Sequence, residues 1–156
     1  MVNLRKIVII AVGGFILNTL GFSTAHAATP FRIGQFQDWA AYTSTDSGEL
    51  VCFMSAKPKL SQGNYTRRGQ VFAFITHRKS DRTNDVVSFI AGYDYQPQSN
   101  VTVTVDRAKK FQLFTQGDTA WGKDANTDRN LVNAIRTGNK MVVTGTSSRG
   151  TSTIDT

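Results

Sequence analysis

A hydrophobic period of two residues is the feature that most constrains how this chain can fold. In NVTVTVD, residues 100–106, three valines alternate with polar residues. Because successive side chains of a strand point to opposite faces, this alternation predicts a strand with one buried face. Two runs rich in Val, Phe, Ile and Thr, QVFAFITHR (70–78) and DVVSFIAGY (85–93), predict a hairpin joined by a long polar loop.

The pattern continues on both sides of these segments. FRIGQFQDWAAYT (31–43) and LVCFMSAK (50–57) predict a first pair of strands, and KFQLFT (110–115) is expected to pair with TAW (119–121) across a turn at Gly117. Exposed sheet edges must be closed or covered. We therefore expect an all-β fold, a β-sandwich or squat barrel of about seven or eight strands.

The end of the chain, MVVTGTSSRGTSTIDT, predicts one more hairpin. Thr151–Thr156 should lie as a strand against Met141–Thr146, because threonine and valine favour strand geometry. Ser147–Gly150 should form the turn. The apolar contacts of this hairpin are expected from Met141, Val143 and Ile154.

One segment departs from the period of two. NTDRNLVNAIRTGNK, residues 126–140, carries apolar residues at helical spacing and predicts one short helix near 127–138. The residues expected on its apolar face are Leu131, Val132 and Ile135. Thr127 or Asn126 should cap the start, and Gly138 should close the end in a left-handed conformation.

The first 27 residues, MVNLRKIVIIAVGGFILNTLGFSTAHA, have the composition of a secretory signal peptide. Arg5 and Lys6 precede a short apolar run, and small residues stand before the expected cleavage site after Ala27. An uncleaved anchor is the alternative, but a spanning helix needs about 20 apolar residues. Cleavage would leave 28–156 as a single β-rich domain with no transmembrane span, in the periplasm or secreted, and would lower the net charge from +7 to +5.

Positive charge is concentrated between Lys57 and Arg82, where Asp81 is the only acid and the local sum is +6. An exported protein rarely meets nucleic acid, so we expect an anionic envelope or host-surface component as the partner. The alternative is a solvated surface whose charges prevent aggregation of strand edges. The residues of this predicted contact are Lys57, Lys59, Arg67, Arg68, Arg78, Lys79 and Arg82.

The sequence offers little for catalysis or metal binding. His77 is the only histidine after residue 27, so a Ser-His-acid triad could use that residue alone. A hydrolase built on His77 is therefore an alternative function, and the expectation is a protein that is not an enzyme. Asp124, Asn126 and Asp128 have EF-hand spacing, but Arg129 replaces the required glycine. No catalytic residue, metal or cofactor is predicted.

Cys52 is the single cysteine, in a predicted strand. In an exported protein an odd cysteine indicates a missing disulfide partner, an intermolecular bond or a free thiol. A buried, inert thiol is the second interpretation. A reactive nucleophile is the least favoured, because neither a histidine nor a helix start lies near it in sequence.

The combination of several segments resembles the invasion-associated locus B family of exported alphaproteobacterial proteins. These segments are FQDW, CFMSAKPK, RRGQVFAFITHR, VSFIAGYDY and the block from Phe111 to Thr156. The similarity covers almost all of 31–156 and is strongest in that last block, where Gly117-Asp118 and Ala120-Trp121 fall in the family's order.

The resemblance implies a binding or envelope-interaction module, with a role in virulence through host-cell invasion in some members. It supplies no catalytic residue. Family chains typically continue past the position of Thr156 to a late cysteine. The resemblance therefore implies that this chain is truncated, that the partner of Cys52 is missing, and that the edge beyond the last strand is open. A hydrolase and a purely structural envelope protein remain the alternatives. The oligomeric state is not predicted.

Overall fold

The computed structural model describes residues 29–79 and 83–156, which form eleven strands and one helix. The predicted signal peptide lies outside these residues. The strands are β1 (Phe31–Phe36), β2 (Trp39–Asp46), β3 (Glu49–Ala56), β4 (Ser61–Gly63), β5 (Phe72–Arg78), β6 (Thr83–Ile90), β7 (Asn100–Val105), β8 (Lys109–Gln116), β9 (Thr119–Trp121), β10 (Met141–Thr146) and β11 (Ser152–Asp155). The helix, α1, spans Ala125–Thr137 between β9 and β10.

All eleven strands belong to one antiparallel sheet, in the order β1-β2-β3-β5-β6-β9-β8-β7-β10-β11-β4. The predicted class, all-β with one late helix, is confirmed, but the predicted number of strands was too low. Two strands have no counterpart of their own among the predicted segments. A turn inside FRIGQFQDWAAYT, where Gln37 has a φ of 54°, separates β1 from β2. Strand β4 was also missed, because its sequence SQG carries no apolar alternation.

The sheet curls strongly around its core. Ile75 of β5, Val103 of β7 and Val143 of β10 belong to one buried cluster. Three strands lie between β5 and β7, so a flat sheet would place these two strands about 19 Å apart. Their shared core requires the sheet to fold over on itself, and we call the concave side that carries these residues the inner face. No pairing joins β1 to β4 among the described strands, so the sheet stays open between its two ends.

Helix α1 lies against the inner face and closes part of the core. Its residues Leu131 and Ala134 are almost fully buried. Asp128, in the first turn, is buried and accepts a hydrogen bond from the backbone N–H of Val87 in β6, over 3.3 Å. Burial raises the pKa of Asp128, which the hydrogen bond from Val87 only partly offsets. The helix is thus attached to the sheet by packing and by one buried polar contact.

The ends of α1 differ from the prediction. The cap is Asp124, whose Oδ1 accepts from the N–H of Thr127 over 2.7 Å. That backbone hydrogen bond lowers the pKa of Asp124. Thr127 and Asn126 were wrong as caps because they lie inside the first turn. Gly138 is extended, with a φ of −93°, so it does not close the helix in a left-handed conformation. A Cβ on Gly138 would lie 2.4 Å from Cγ1 of Val105, which gives a packing reason for glycine.

The C-terminal hairpin is confirmed. Strand β11 pairs with β10, with Val143 opposite Asp155 and Thr146 opposite Ser152. Val143 is buried, whereas Ile154 lies on the outer face of the sheet and is 39% exposed. The expectation of an open edge beyond β11 is wrong, because β4 pairs with that edge. The backbone of Thr156 also hydrogen-bonds Lys59 and Leu60.

Candidate functional site

The predicted basic surface divides into two groups at opposite ends of β5. Lys57, Lys59 and Arg67 lie in the segments that precede the strand, and Arg78 and Lys79 lie at its far end. A strand rises about 3.3 Å per residue, so the two groups are about 20 Å apart. Arg82 lies outside the described residues. The local sum of +6 therefore does not form one patch in the folded chain.

Several of these cations are already engaged. Lys59 Nζ lies 2.8 Å from Asp38 Oδ2, and Arg78 Nη1 lies 2.7 Å from Asp46 Oδ2. Arg67 and Lys79 are exposed and have no ion pair or side-chain hydrogen bond within the described part of the chain. These last two therefore present charge that no neighbouring side chain offsets.

Lys57 has contacts, but only with neutral side chains. Its Nζ donates to Gln70 Oε1 over 2.8 Å. The same ammonium lies 5.0 Å from the ring centre of Phe72. Neither contact neutralises its charge, and Lys57 remains exposed.

Arg68 is not a surface residue. Its side chain is 5% exposed, and its guanidinium binds both carboxylate oxygens of Asp155, over 2.8 and 2.6 Å. Its Nε also donates to the carbonyl oxygen of Ala91 over 2.7 Å. Burial acts to lower the pKa of Arg68, but the hydrogen bonds and charge of Asp155 outweigh it and the pKa is raised. Arg68 therefore holds the fold together and cannot contact a partner in this conformation.

Tyrosines surround this ion pair. The guanidinium of Arg68 lies 5.0 Å from the ring centre of Tyr93 and 5.5 Å from that of Tyr65. The Tyr93 hydroxyl shares a 2.6 Å hydrogen bond with Thr153 Oγ1 in β11. Burial raises the pKa values of Tyr93 and of its neighbour Tyr95. The hydroxyls therefore stay neutral, and the cluster serves packing and hydrogen bonding.

The structure brings Cys52 and His77 together, which the sequence analysis missed. They are direct partners in the pairing of β3 with β5, and so their side chains share the inner face. The backbone N–H of Asp85 donates to His77 Nδ1 over 3.2 Å, and Asp85 Oδ1 lies 4.0 Å from His77 Nε2. Nδ1 therefore accepts a hydrogen bond from Asp85, whereas the separation at Nε2 is too long for one. Among the described residues, Cys52 is a free thiol with no hydrogen-bond partner.

This arrangement does not amount to a catalytic triad. A base must direct one nitrogen at the nucleophile and the other at the carboxylate. In His77, Nδ1 accepts from the backbone N–H of Asp85, and Nε2 lies 4.0 Å from the Asp85 carboxylate, which is too far for a hydrogen bond. No hydrogen-bonded chain of nucleophile, histidine and carboxylate therefore forms around His77. The lack of a histidine close in sequence was an incomplete argument against a reactive Cys52, because β3 and β5 bring His77 beside it.

A groove of about 910 Å³ opens on the inner face. One wall is formed by β2 and β3, with Trp39, Met54 and Ala56. The opposite wall is formed by α1 and β10, with Ile135 and Met141. Buried core residues such as Ile75 and Phe89 also line it, so apolar surface forms the larger part of the groove, and polar side chains make up the rest.

The groove has cations on both walls. Lys57 and Lys59 follow β3, and Arg136 and Lys140 lie in and after the last turn of α1; all four line the groove. The side chains of Arg136 and Lys140 have no partner among the residues described. Two carboxylates of the groove are paired, Asp38 with Lys59 and Asp155 with Arg68, which does not line the groove. Three groove cations, Lys57, Arg136 and Lys140, then remain without a carboxylate partner, against Asp85 as the carboxylate without a lysine or arginine partner. The groove therefore carries a surplus of positive charge.

Within residues 29–79 and 83–156, no group of three or more metal-ligating side chains is found. The helix there, α1, has 13 residues, and no described helix has the length and apolar character to cross a membrane. Over residues 39–156 the chain matches the family described as "Invasion associated locus B (IalB) protein". Among proteins with curated descriptions and among solved structures, none matches the chain.

Proposed function

The chain belongs to the invasion associated locus B family, and from this premise we propose that it is an exported binding module. Its partner is an anionic component of the bacterial envelope or of a host surface, and this contact contributes to host-cell association. The signal-peptide pattern of residues 1–27 supports export. The observation that carries the proposal is the unneutralised charge of Lys57 and Arg67 on the segments between β3 and β5.

Binding is favoured over hydrolysis because the groups required for hydrolysis are not arranged for it. His77 Nδ1 accepts from the backbone of Asp85, and Nε2 lies 4.0 Å from its carboxylate, so His77 is not linked by hydrogen bonds to both a nucleophile and an acid. A purely structural envelope protein is the other alternative, and it would carry the same exposed cations without binding a partner. A binding measurement therefore decides between the binding module and the structural protein.

The experiment measures binding to vesicles of phosphatidylglycerol and phosphatidylcholine at low salt. Reversing Lys57 and Arg67 to glutamate should weaken binding at least about tenfold, since each cation near an anionic surface contributes about 1 kcal/mol. Binding of the unaltered chain should also fall as salt is added, because exposed charges are screened. Arg68, which the sequence placed in the contact, is unsuitable for this test because it is buried.

A matched control reverses Lys109 and Arg149, which are exposed and far from β5 in the sheet order. It makes the same change in net charge. If both double variants lose binding equally, the net charge of the molecule determines vesicle binding and the proposed surface has no specific role. If neither loses binding, or if the unaltered chain does not bind at all, the proposal is wrong and the structural role stands.

A further inference from the structure

We propose that the groove on the inner face binds an anionic lipid with a single acyl chain, with the chain along the apolar walls and the head group at Arg136 and Lys140. This goes beyond the proposed surface contact, because the site is a cleft that takes one molecule and its head-group end lies on Arg136 and Lys140, although Lys57 also lines the groove. The two ideas can fail independently.

The size and chemistry of the groove fit an acyl chain. Its volume of about 910 Å³ lies in the range usual for small-molecule pockets. Trp39, Met54 and Met141 line it and are only partly buried, so they can contact an apolar ligand. Each methylene that leaves water contributes about 0.8 kcal/mol, which is enough for a long chain to be held.

The position of the free cations gives the ligand its anionic end. Arg136 and Lys140 line the groove beside Ile135 and Met141 of the same wall, so a charged group can meet them while its chain remains on the apolar surface. Arg136 also lies in the last turn of α1, where the free carbonyl groups favour a cation. A cationic lipid would meet the same surplus of positive charge and would be repelled.

An extended peptide fits less well. Peptides of this kind add to a free strand edge through backbone hydrogen bonds. The strands that form the walls have no such edge, because β3 pairs on both sides with β2 and β5, and β10 pairs with β7 and β11. The free edge of the end strand β1 meets the groove only through Phe36, the last residue of that strand. The walls of the groove therefore offer side-chain contacts and charge but no backbone groups for strand pairing. A lipid needs only the contacts and the charge, whereas an extended peptide also needs the backbone groups.

The test uses the fluorescence of Trp39, with Trp121→Phe as the background because Trp121 does not line the groove. A dibrominated stearate should quench Trp39 on binding. Unlabelled stearate should restore the signal, whereas stearylamine should not. Arg136→Gln with Lys140→Gln should weaken binding about tenfold, since two exposed ion pairs together contribute about 1–2 kcal/mol.

The matched control is Arg129→Gln with Lys109→Gln, which removes two exposed charges outside the groove, one of them on the same helix. This variant should bind stearate as the background does. Ala56→Phe should fill the groove and abolish quenching. Arg67→Glu, which lies outside the groove, should weaken vesicle binding and leave stearate binding unchanged. Melting curves of all variants ensure that each is folded.

Three results would overturn the proposal: no quenching of the folded background protein, equal displacement by stearate and stearylamine, or equal loss in the charge variant and its control. A fourth is a dimer in light scattering that Ala56→Phe dissociates, because a second copy of the chain would then cover the groove. Loss of vesicle binding with stearate binding intact would reject the proposed function and leave the groove assignment standing.

Discussion

The guanidinium of Arg68 and the carboxylate of Asp155 form a two-pronged ion pair that joins the segment before β5 to the last strand. The two hydrogen bonds measure 2.8 and 2.6 Å, and Ser61 Oγ donates to the same carboxylate over 2.6 Å. Arg68 and Asp155 are 5% and 10% exposed. This contact is buried and joins two segments that are distant in sequence, so it matters more than an ordinary surface pair.

Removing one partner of this pair should strongly destabilise the fold. Asp155→Ala leaves a buried guanidinium without its counter-charge, and losses of about 3–5 kcal/mol are typical of such changes. The free energy of unfolding in urea measures the effect. Arg68→Met with Asp155→Leu should be more stable than Asp155→Ala, because no unpaired charge remains.

The control for this prediction is Arg78→Ala, which breaks the ion pair with Asp46 at the surface. Surface pairs contribute little, so the urea midpoint of Arg78→Ala should stay close to that of the unaltered chain. Equal losses for Asp155→Ala and Arg78→Ala would show that the buried pair has no special role.

The sequence predicts the strands well but not the contacts between distant ones. The valines of β7 alternate, and all three are buried as the period of two requires. Arg68 and Asp155 lie 87 positions apart, and no local pattern distinguishes a buried arginine from its exposed neighbour Arg67. The pairing of β3 with β5 places Cys52 beside His77 for the same non-local reason.

Boundaries of the helix were misplaced by a few residues because several residues could serve as its cap. Asp124, Asn126 and Thr127 all have side chains that can accept a backbone hydrogen bond. The choice of Asp124 follows from where α1 must begin for Asp128 to reach Val87. That constraint comes from the sheet and is absent from the helix sequence. The groove has no sequence signal either, since its walls come from four separate elements.

Asp128 should make stability depend on pH. Burial raises its pKa in the folded state, so the folded chain binds a proton more tightly than the unfolded chain, whose Asp pKa is about 3.9. The contribution of this group to stability is therefore most favourable below the unfolded pKa and declines as pH rises through the folded pKa. At neutral pH the buried charge is a net penalty.

Asp128→Asn removes that charge and keeps an oxygen that can accept from Val87. We expect the melting temperature of this variant to be at least as high as that of the unaltered chain at pH ~7. Its melting temperature should also change less between pH ~4 and ~6 than that of the unaltered chain. Asp128→Leu should melt lower at every pH, because the Val87 N–H loses its partner. The assignment would be contradicted if the Asn variant lost stability relative to the unaltered chain as the pH is raised from acid to neutral.

His77 should have no catalytic role. It is not linked by hydrogen bonds to both a nucleophile and a carboxylate, so we expect no turnover of generic ester, peptide or glycan substrates that depends on this histidine. The measurement compares purified chain with His77→Ala and with Cys52→Ala under the same conditions. Turnover that both substitutions abolish in folded protein would establish a cysteine-histidine enzyme and reject our interpretation.

The exported form should begin at Ala28. Small residues precede this position and a short apolar run lies upstream, as signal peptidases require. N-terminal sequencing of protein from an envelope or secreted fraction checks it. Ala27→Lys should block processing and leave the longer chain with the membranes. A full-length chain starting at Met1 in the unaltered protein would instead support the anchor.

Gly145 should tolerate no side chain, because the ring of Tyr95 occupies the space beside it. A Cβ at Gly145 would lie 2.6 Å from Cε1 of Tyr95. That ring is 5% exposed and packs edge-on against Tyr93, with 5.3 Å between ring centres, so it cannot move aside freely. Overpacking of this kind costs about 1–3 kcal/mol, and Gly145→Ala should lower the free energy of unfolding by a similar amount.

Gly34→Ala is the matched control for Gly145→Ala, since both glycines lie in strands and neither has a positive φ. A Cβ at Gly34 would meet the ring of Phe36 at 3.3 Å, but Phe36 is 60% exposed and can rotate away. Gly34→Ala should therefore change stability little or raise it slightly, because alanine loses less backbone entropy on folding. Adding Tyr95→Leu to Gly145→Ala should produce a smaller total loss than the sum of the two single losses, because the shorter side chain relieves the clash. If the losses in the free energy of unfolding from the two substitutions simply add, the Tyr95 ring is not what prevents a side chain at Gly145.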